Sequence, residues 1–432
     1  MTTLSADQQH TLDSILQWFR EEKKSKQYIS LGGYAGTGKT TLIAVIRKEI
    51  DAIDKKMEHS HSIHSDNTPF QYDRVRNRVP YATDSGNLQP WHSGSRVKVG
   101  FASYTGKAAR VLRTKLTEGQ VILPQDTVGT IHSLIYSPIV NDRQEIVGWK
   151  QKEKIDRTLI IIDEASMVDE MIWSNLLSYG IPIIVVGDHG QLPPIKGSFN
   201  LIEDPQLKLD EIHRQARMNP IIGLSIQARE HGLIKMGKYS DTVIKYDMAT
   251  HEAQEAMQEL LNSATRDTLV LCGYNTTRIK LNTHMRGVLG FESPTPTSGD
   301  RVICLRNNHK KHIFNGMLGT IQSIKQVDDE WYMAEIAMDD EENVYKDLIS
   351  VKQFNAPTAM NFTDKRSQIM RGDLFDFGYA LTVHKAQGSQ AKRVILFEER
   401  FKKMTDDEWK RWLYTAVTRA EEELYIFGRE AE

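Results

Sequence analysis

The sequence predicts an α/β protein built on parallel sheets, with a smaller β-rich insertion. Three observations carry this. Leu159–Ile162, Ile181–Val186, Thr268–Gly273, Arg393–Phe397 and Glu423–Phe427 are mostly continuous apolar runs, as expected of strands covered on both faces. Helical patterns stand between several of them. From about Gly299 to Phe375 the texture changes to shorter or alternating runs (RVICL, GTIQSI, WYMAEIAM) broken by Gly and Asp-Asp turns, which predicts an antiparallel unit inserted in the second half.

Taken in order, Leu4–Arg20 has apolar residues at Leu12, Ile15, Leu16 and Phe19, which is helical spacing, with Ser5 as a candidate N-cap. Tyr28–Leu31 is a short strand entering a Gly-rich turn, and Thr41–Ile50 reads as the helix after it. Residues 55–96 lose all periodicity and are rich in Ser, Asn, Asp and Pro, so a long insertion or mobile loop is expected there. Val97–Ala102 restores a strand.

Composition bounds the class. The chain has 432 residues, enough for roughly three domains at about 150 residues each. Basic residues number 55 and acidic residues 57, so any basic footprint for nucleic acid is local. Two cysteines exclude a disulfide framework or a Cys-rich metal fold. The polar N-terminus and the lack of any run of about 18 apolar residues make a reducing, cytoplasmic setting the expectation, away from membranes.

Gly33-Tyr-Ala-Gly-Thr-Gly38-Lys39-Thr40 fits G-x-x-x-x-G-K-[ST] between a strand and a helix. In such a P-loop, backbone N–H groups and the helix N-terminus converge on phosphates. Lys39 adds a charge and the Thr40 hydroxyl can ligate Mg2+. The nucleotide-binding set is therefore Gly33, Ala35, Gly36, Thr37, Gly38, Lys39, Thr40 and Thr41. Asp163 and Glu164 close the strand Leu159–Ile162, where a carboxylate faces the crevice beside the phosphate loop. Asp163 would hold Mg2+ with Thr40, and Glu164 would orient or deprotonate water. Gln191 ends the third strand and can sense the terminal phosphate. Arg214 and Arg419 can stabilise charge on the transferring phosphoryl group. The expected catalytic residues are thus Lys39, Glu164, Gln191, Arg214 and Arg419.

With these motifs in this order, the chain resembles superfamily 1 helicases, specifically the RecD- and Dda-like 1B branch. Gln8 is similar to that family's adenine-contacting glutamine. Gly33–Thr40 is similar to motif I, Thr105–Arg110 to motif Ia, Thr130-Ile-His132-Ser to Ib and Asp163-Glu164-Ala-Ser-Met to II. Gly187-Asp188 with Gln191-Leu-Pro-Pro looks like III, Arg214-Gln215 like IV, Thr382–Ser389 like V and Tyr414–Ala420 like VI. Tyr104 stands where the family usually has proline, and residues 55–96 have no counterpart.

The resemblance implies an ATP-dependent DNA helicase using ATP and Mg2+, moving 5′ to 3′. It implies two RecA-like domains: 1–205, carrying the 55–96 insertion and a wedge hairpin within about 115–125, and 206–296 with 376–432. An SH3-like insertion would span 297–375. Gly388 joins the nucleotide site. Tyr104, Lys107, His132, His384 and Lys385 would contact nucleic acid, although structural roles for the two histidines are as consistent with the residues. Leu116, Val121, Ile122 and Leu123 would form the apolar wedge tip, or else ordinary core. His59, His61 and His64 have metal-like spacing but no cysteine nearby. Expected partners are single-stranded DNA and DNA forks, with single-stranded-DNA-binding or replisome proteins beside them, and the chain would act as a monomer. An RNA helicase, or a translocase that strips proteins from single-stranded DNA, are the alternative readings.

Overall fold

The computed structural model describes residues 4–64, 97–140, 146–193, 199–212, 218–306, 308, 311, 313–339, 344–357, 360 and 371–429. The side chains of 56–64, 107, 138, 140 and 146–148 lie outside that description.

Helix α1 (Ala6–Gln17) begins with a capping box. The Ser5 side chain accepts from the Gln8 N–H, and the Gln8 side chain accepts from the Ser5 N–H. Its Leu12, Ile15 and Leu16 are buried, and a π-helical turn, Trp18–Glu22, adds Trp18 and Phe19 to the same core. Strand β1 (Tyr28–Gly33) leads into α2 (Lys39–His64), then β2 (Val99–Ser103), α3 (Gly106–Glu118), β3 (Thr127–Thr130) and α4 (Ile131–Ile135). A hairpin of β4 (Tyr136–Val140) and β5 (Ile146–Gln151) precedes β6 (Leu159–Asp163), α5 (Glu170–Leu177), β7 (Ile183–Gly187) and β8 (Leu207–Leu209).

These strands form a parallel sheet in the order β3-β2-β6-β7-β1-β8. Every residue of β2, β6 and β7 is buried, which is why their sequences are mostly apolar. Each fully buried Ile of β6 contributes roughly 1.5–3 kcal/mol of transfer free energy.

Two expectations change here. Helix α2 runs through His64, so 55–64 is helical, and the rest of the 55–96 segment lies outside the described residues. Residues 115–125 do not form a hairpin. Leu116 lies in α3 and, with Val121, is buried in the front core, while Ile122 packs on that core from the following loop. Their apolar character serves packing. The hairpin is β4–β5, after motif Ib, and its connecting residues 141–145 lie outside the description.

In the second half, α6 (Pro220–His231), β9 (Gly237–Ser240), β10 (Val243–Asp247), α7 (His251–Asn262), β11 (Thr268–Cys272) and α8 (Asn275–Val288) are followed by the insertion. The insertion comprises β12 (Arg301–Cys304), β13 (Leu318–Gln326), β14 (Trp331–Met338), β15 (Val344–Ser350) and β16 (Phe375–Phe377). These pair antiparallel in the order β15-β14-β13-β12-β16, where the alternating texture predicted an antiparallel unit. The chain then returns through β17 (Ala380–Thr382), β18 (Ala391–Phe397), α9 (Asp406–Val417) and β19 (Ala420–Gly428). The rear sheet has the order β17-β11-β18-β19-β10-β9, parallel except for β9 on β10.

Candidate active site between the two parallel sheets

The phosphate loop leaves β1 at Gly33. Gly36 (φ 81°) and Gly38 (φ 78°) take left-handed conformations, which let the backbone fold into a cradle without a Cβ penalty. Lys39 Nζ donates to the Gly33 and Tyr34 carbonyls at 2.7 and 3.0 Å, so the lysine closes the loop it would serve. Gln8 is buried and its Nε2 donates to the Thr37 carbonyl at 3.0 Å, which fixes the loop from behind. Thr40 is half-buried in the first turn of α2, whereas Thr41 is exposed there.

Asp163 ends β6 beside this loop. Burial, and next the charge of Glu164, push its carboxyl up to about 6, while Lys39 pulls it down. A buried carboxylate whose proton affinity is raised by burial and by Glu164, beside a phosphate cradle, fits a divalent cation. Glu164 sits at φ 55°, ψ 43°, a conformation that costs a non-glycine residue on the order of 1–3 kcal/mol. Its N–H donates to Asp163 Oδ1 at 2.9 Å.

The loop after β7 carries Asp188 and Gln191. Asp188 and Gln191 are both buried, and Gln191 Nε2 donates to Asp188 Oδ2 at 3.2 Å. From the rear lobe, Arg419 is buried at 1% exposure. Its Nε and Nη1 donate to the carbonyls of Thr415 and Ser389 at 3.0 and 3.2 Å, and Nη2 donates to Thr418 Oγ1 at 3.4 Å. Burial lowers its pKa, and the nearby charges of Glu164 and then Asp188 raise it. The guanidinium therefore lies within the electrostatic reach of the two front-lobe carboxylates. Gly388 (φ 73°) closes against the front lobe, where a Cβ would overlap Met167 Sδ. Arg214 and Gln215 lie outside the described residues.

Of the residues expected to face nucleic acid, Tyr104 and His132 share one cavity, and His384 and Lys385 lie outside its lining. A cavity of about 410 Å³ is lined by Tyr104, Thr105, His132, Phe314, Gln387 and Ser389, among others. Thr105 caps α3 by accepting from the Ala108 N–H, and Thr130 caps α4 by accepting from the Ser133 N–H. These caps present the turns before both helices to the cavity. His132 is buried with its ring 3.8 Å from Phe314 of the insertion and 6.0 Å from Tyr104. Lys385 Nζ donates to Asn315 Oδ1 at 2.8 Å, which also joins motif V to the insertion. His384 lies in the motif V turn with its pKa lowered by burial, and packs 6.5 Å from Phe401. Lys107 is in the first turn of α3, its side chain outside the description.

Among the described residues no group of three or more His, Cys, Asp or Glu could hold a metal, and the side chains of His59, His61 and His64 lie outside that set. No described helix is long and apolar enough to cross a membrane. Sequence reasoning gave no role to Tyr34, Arg229, Arg411 or Tyr414, which line the junction of the lobes. Tyr34 and Tyr414 sit inside recognised motifs, but only the fold shows what they touch.

A family model described as AAA domain matches residues 3–247, and one described as UvrD-like helicase C-terminal domain matches residues 377–427. The ATP-dependent RecD2 DNA helicase of Deinococcus radiodurans is 27% identical over 359 residues, covering 77% of this chain and 43% of that protein. The RecBCD enzyme subunit RecD of Buchnera aphidicola is 30% identical over 159 residues, covering 32% of this chain and 26% of that one. The chain spans less than half the length of these curated relatives. A solved structure of Pif1 helicase from Bacteroides in complex with ADP-AlF3 and ssDNA overlays 99% of this chain and 92% of its own, at 16% identity and a TM-score of 0.44.

Proposed function

Because the chain belongs to the AAA domain family, whose model spans more than half of it at residues 3–247, we propose that it is an ATP-dependent DNA helicase of superfamily 1B. The observation that carries this reading is Arg419, a buried rear-lobe arginine in the field of the front-lobe carboxylates Glu164 and Asp188. A nucleotide hydrolysed there is served by both lobes, so hydrolysis depends on how they sit against each other.

In this reading the lobes are 1–205 and 206–296 with 376–432, and 297–375 is an SH3-like insertion. The P-loop amides of Gly36, Thr37 and Gly38 and the Lys39 ammonium bind phosphate oxygens, with Thr41 at the helix end and Gln8 toward the base; the Ala35 N–H, expected to join them, is taken by the Tyr414 hydroxyl. Thr40 and Asp163 hold Mg2+, which when bound neutralises phosphate charge. Glu164 accepts a hydrogen bond from the attacking water and takes its proton. Gln191 and Arg419 bind the phosphate oxygens that gain charge, and Arg214, which lies outside the described residues, keeps that role only by its motif. Gly388 lets motif V approach Met167.

Single-stranded DNA is read as crossing the cavity at Tyr104 and running on to His384 and Lys385, by ring stacking and phosphate contacts, with Lys107 assigned by its motif alone and the buried His132 supporting the surface from beneath. The β4–β5 hairpin is the strand-separating element in place of 115–125.

The test is steady-state ATP hydrolysis with single-stranded DNA or RNA oligomers, and unwinding of duplexes carrying a 5′ or a 3′ tail. Stimulation by DNA and unwinding of 5′-tailed duplexes are expected, and Lys39→Ala abolishes both. Stimulation by RNA alone makes the chain an RNA helicase; DNA stimulation without unwinding makes it a translocase.

A further inference from the structure

The loop that follows β7 is gripped by the rear lobe. Leu192 N–H donates to Thr415 Oγ1 at 2.9 Å, and Gln387 Nε2 donates to the Leu192 and Pro193 carbonyls at 2.6 and 3.1 Å. Arg411 Nη1 donates to the His189 carbonyl at 3.2 Å. At the centre is Tyr414 of α9, 1% exposed. Its hydroxyl accepts from the Ala35 N–H of the phosphate loop at 2.8 Å and donates to Asp188 Oδ2 at 2.7 Å.

The proton directions are fixed. An amide N–H can only donate, so the hydroxyl accepts from Ala35 and sends its own proton to Asp188. Asp188 also accepts from Gly190 N–H at 3.0 Å and from Gln191 Nε2 at 3.2 Å. One amide proton of Gln191 is thereby committed. This fixes the plane of the amide and leaves its second proton for a phosphate oxygen. The rings agree with the hydrogen bonds. Tyr34 of the phosphate loop packs 4.3 Å from His189 and 6.0 Å from Tyr414, with the Arg229 guanidinium 3.8 Å over its face. A Cβ at Gly190 would lie 2.7 Å from Tyr34 Cε1 and 3.1 Å from Tyr414 Cε1, so glycine is what admits both rings.

We propose that Tyr414 is a positioning residue for nucleotide hydrolysis: its hydroxyl ties the phosphate loop at Ala35 to Asp188, and through Asp188 orients Gln191. The inference rests on the reading of the chain as a nucleotide-hydrolysing motor. It makes the sensing glutamine correctly placed only while the rear lobe is seated on the phosphate loop.

Tyr414→Phe keeps the ring and removes the link. Steady-state ATP hydrolysis by the full chain, scored per nucleotide-binding site, is measured with and without oligo(dT). The expected result is a kcat at least about tenfold lower with KM for ATP within about twofold of wild type. Asp188→Asn should act in the same way, and the double variant should be no slower than the worse single variant. A kcat for Tyr414→Phe within about twofold of wild type overturns the inference, as do losses that multiply in the double variant. If Tyr414→Phe does not fold, Asp188→Asn alone decides, through the same split between kcat and KM. A wild-type enzyme that hydrolyses ATP without responding to DNA would sink the helicase reading. The basal ratio of variant to wild type would still test Tyr414.

Discussion

Asp163→Asn should stabilise the chain when no divalent cation is present, and the size of the effect should follow pH. Burial and the Glu164 charge raise the Asp163 carboxyl from its usual 3.8 to about 6. The folded state thus holds this proton more tightly than the unfolded state. Stability from this group is full below about pH 4 and is lost as pH rises toward 6. At about 1.36 kcal/mol per tenfold in proton affinity, the ionised carboxylate costs on the order of 3 kcal/mol above pH 6. Asparagine keeps the shape and can still accept from the Glu164 N–H, which here donates to Oδ1. The assay is guanidinium unfolding in EDTA at several pH values, followed by tryptophan fluorescence; Trp18 and Trp173 report the front core. The variant should exceed wild type by on the order of 3 kcal/mol at pH 8 and converge with it near pH 4. Added Mg2+ should stabilise wild type, by about 2.7 kcal/mol at 100 times its Kd, and leave the variant unchanged. A variant less stable than wild type at pH 8, or a difference flat with pH, would refute the assignment of an uncompensated buried charge.

Three further outcomes are expected. Arg47 and Asp126 form an ion pair at 2.8 Å with side-chain exposures of 1% and 0%, so Arg47→Ala should cost about 3–5 kcal/mol in urea unfolding. Leu116→Ala should destabilise by about 2–5 kcal/mol while unwinding per folded molecule stays normal, because Leu116 lies in the front core; a fork-specific defect at unchanged stability would contradict that placement. Glu164→Gln should still bind a fluorescent ATP analogue yet turn over at least about 100-fold more slowly; turnover near wild type would remove Glu164 from its role.

The phosphate loop and the strands β6 and β7 were legible because their signals are local. Gly36 and Gly38 need positive φ, and strands covered on both faces read as apolar runs. The hairpin was misplaced for a physical reason. Val121, Ile122 and Leu123 form an apolar run just past a helix, and a run that seals a core looks the same as one that caps a base pair. The β4–β5 hairpin was not legible because Pro138 lies within β4, a residue that argues against strand. Helix α2 outran its expected end because the Ser- and His-rich stretch past Lys55 lacks the apolar spacing of a packed helix. Tyr414 was unreadable because its role is a contact with Ala35, 379 positions away along the chain.

In the proposed mechanism a rear-lobe arginine completes a front-lobe nucleotide site. The most direct measurement is single-turnover ATP hydrolysis by Arg419→Lys at saturating single-stranded DNA, with ATP affinity measured in parallel. A loss of about a thousandfold in rate, with affinity little changed, is the expected result for a guanidinium that acts on the transition state. Wild-type hydrolysis by that variant would contradict the claim.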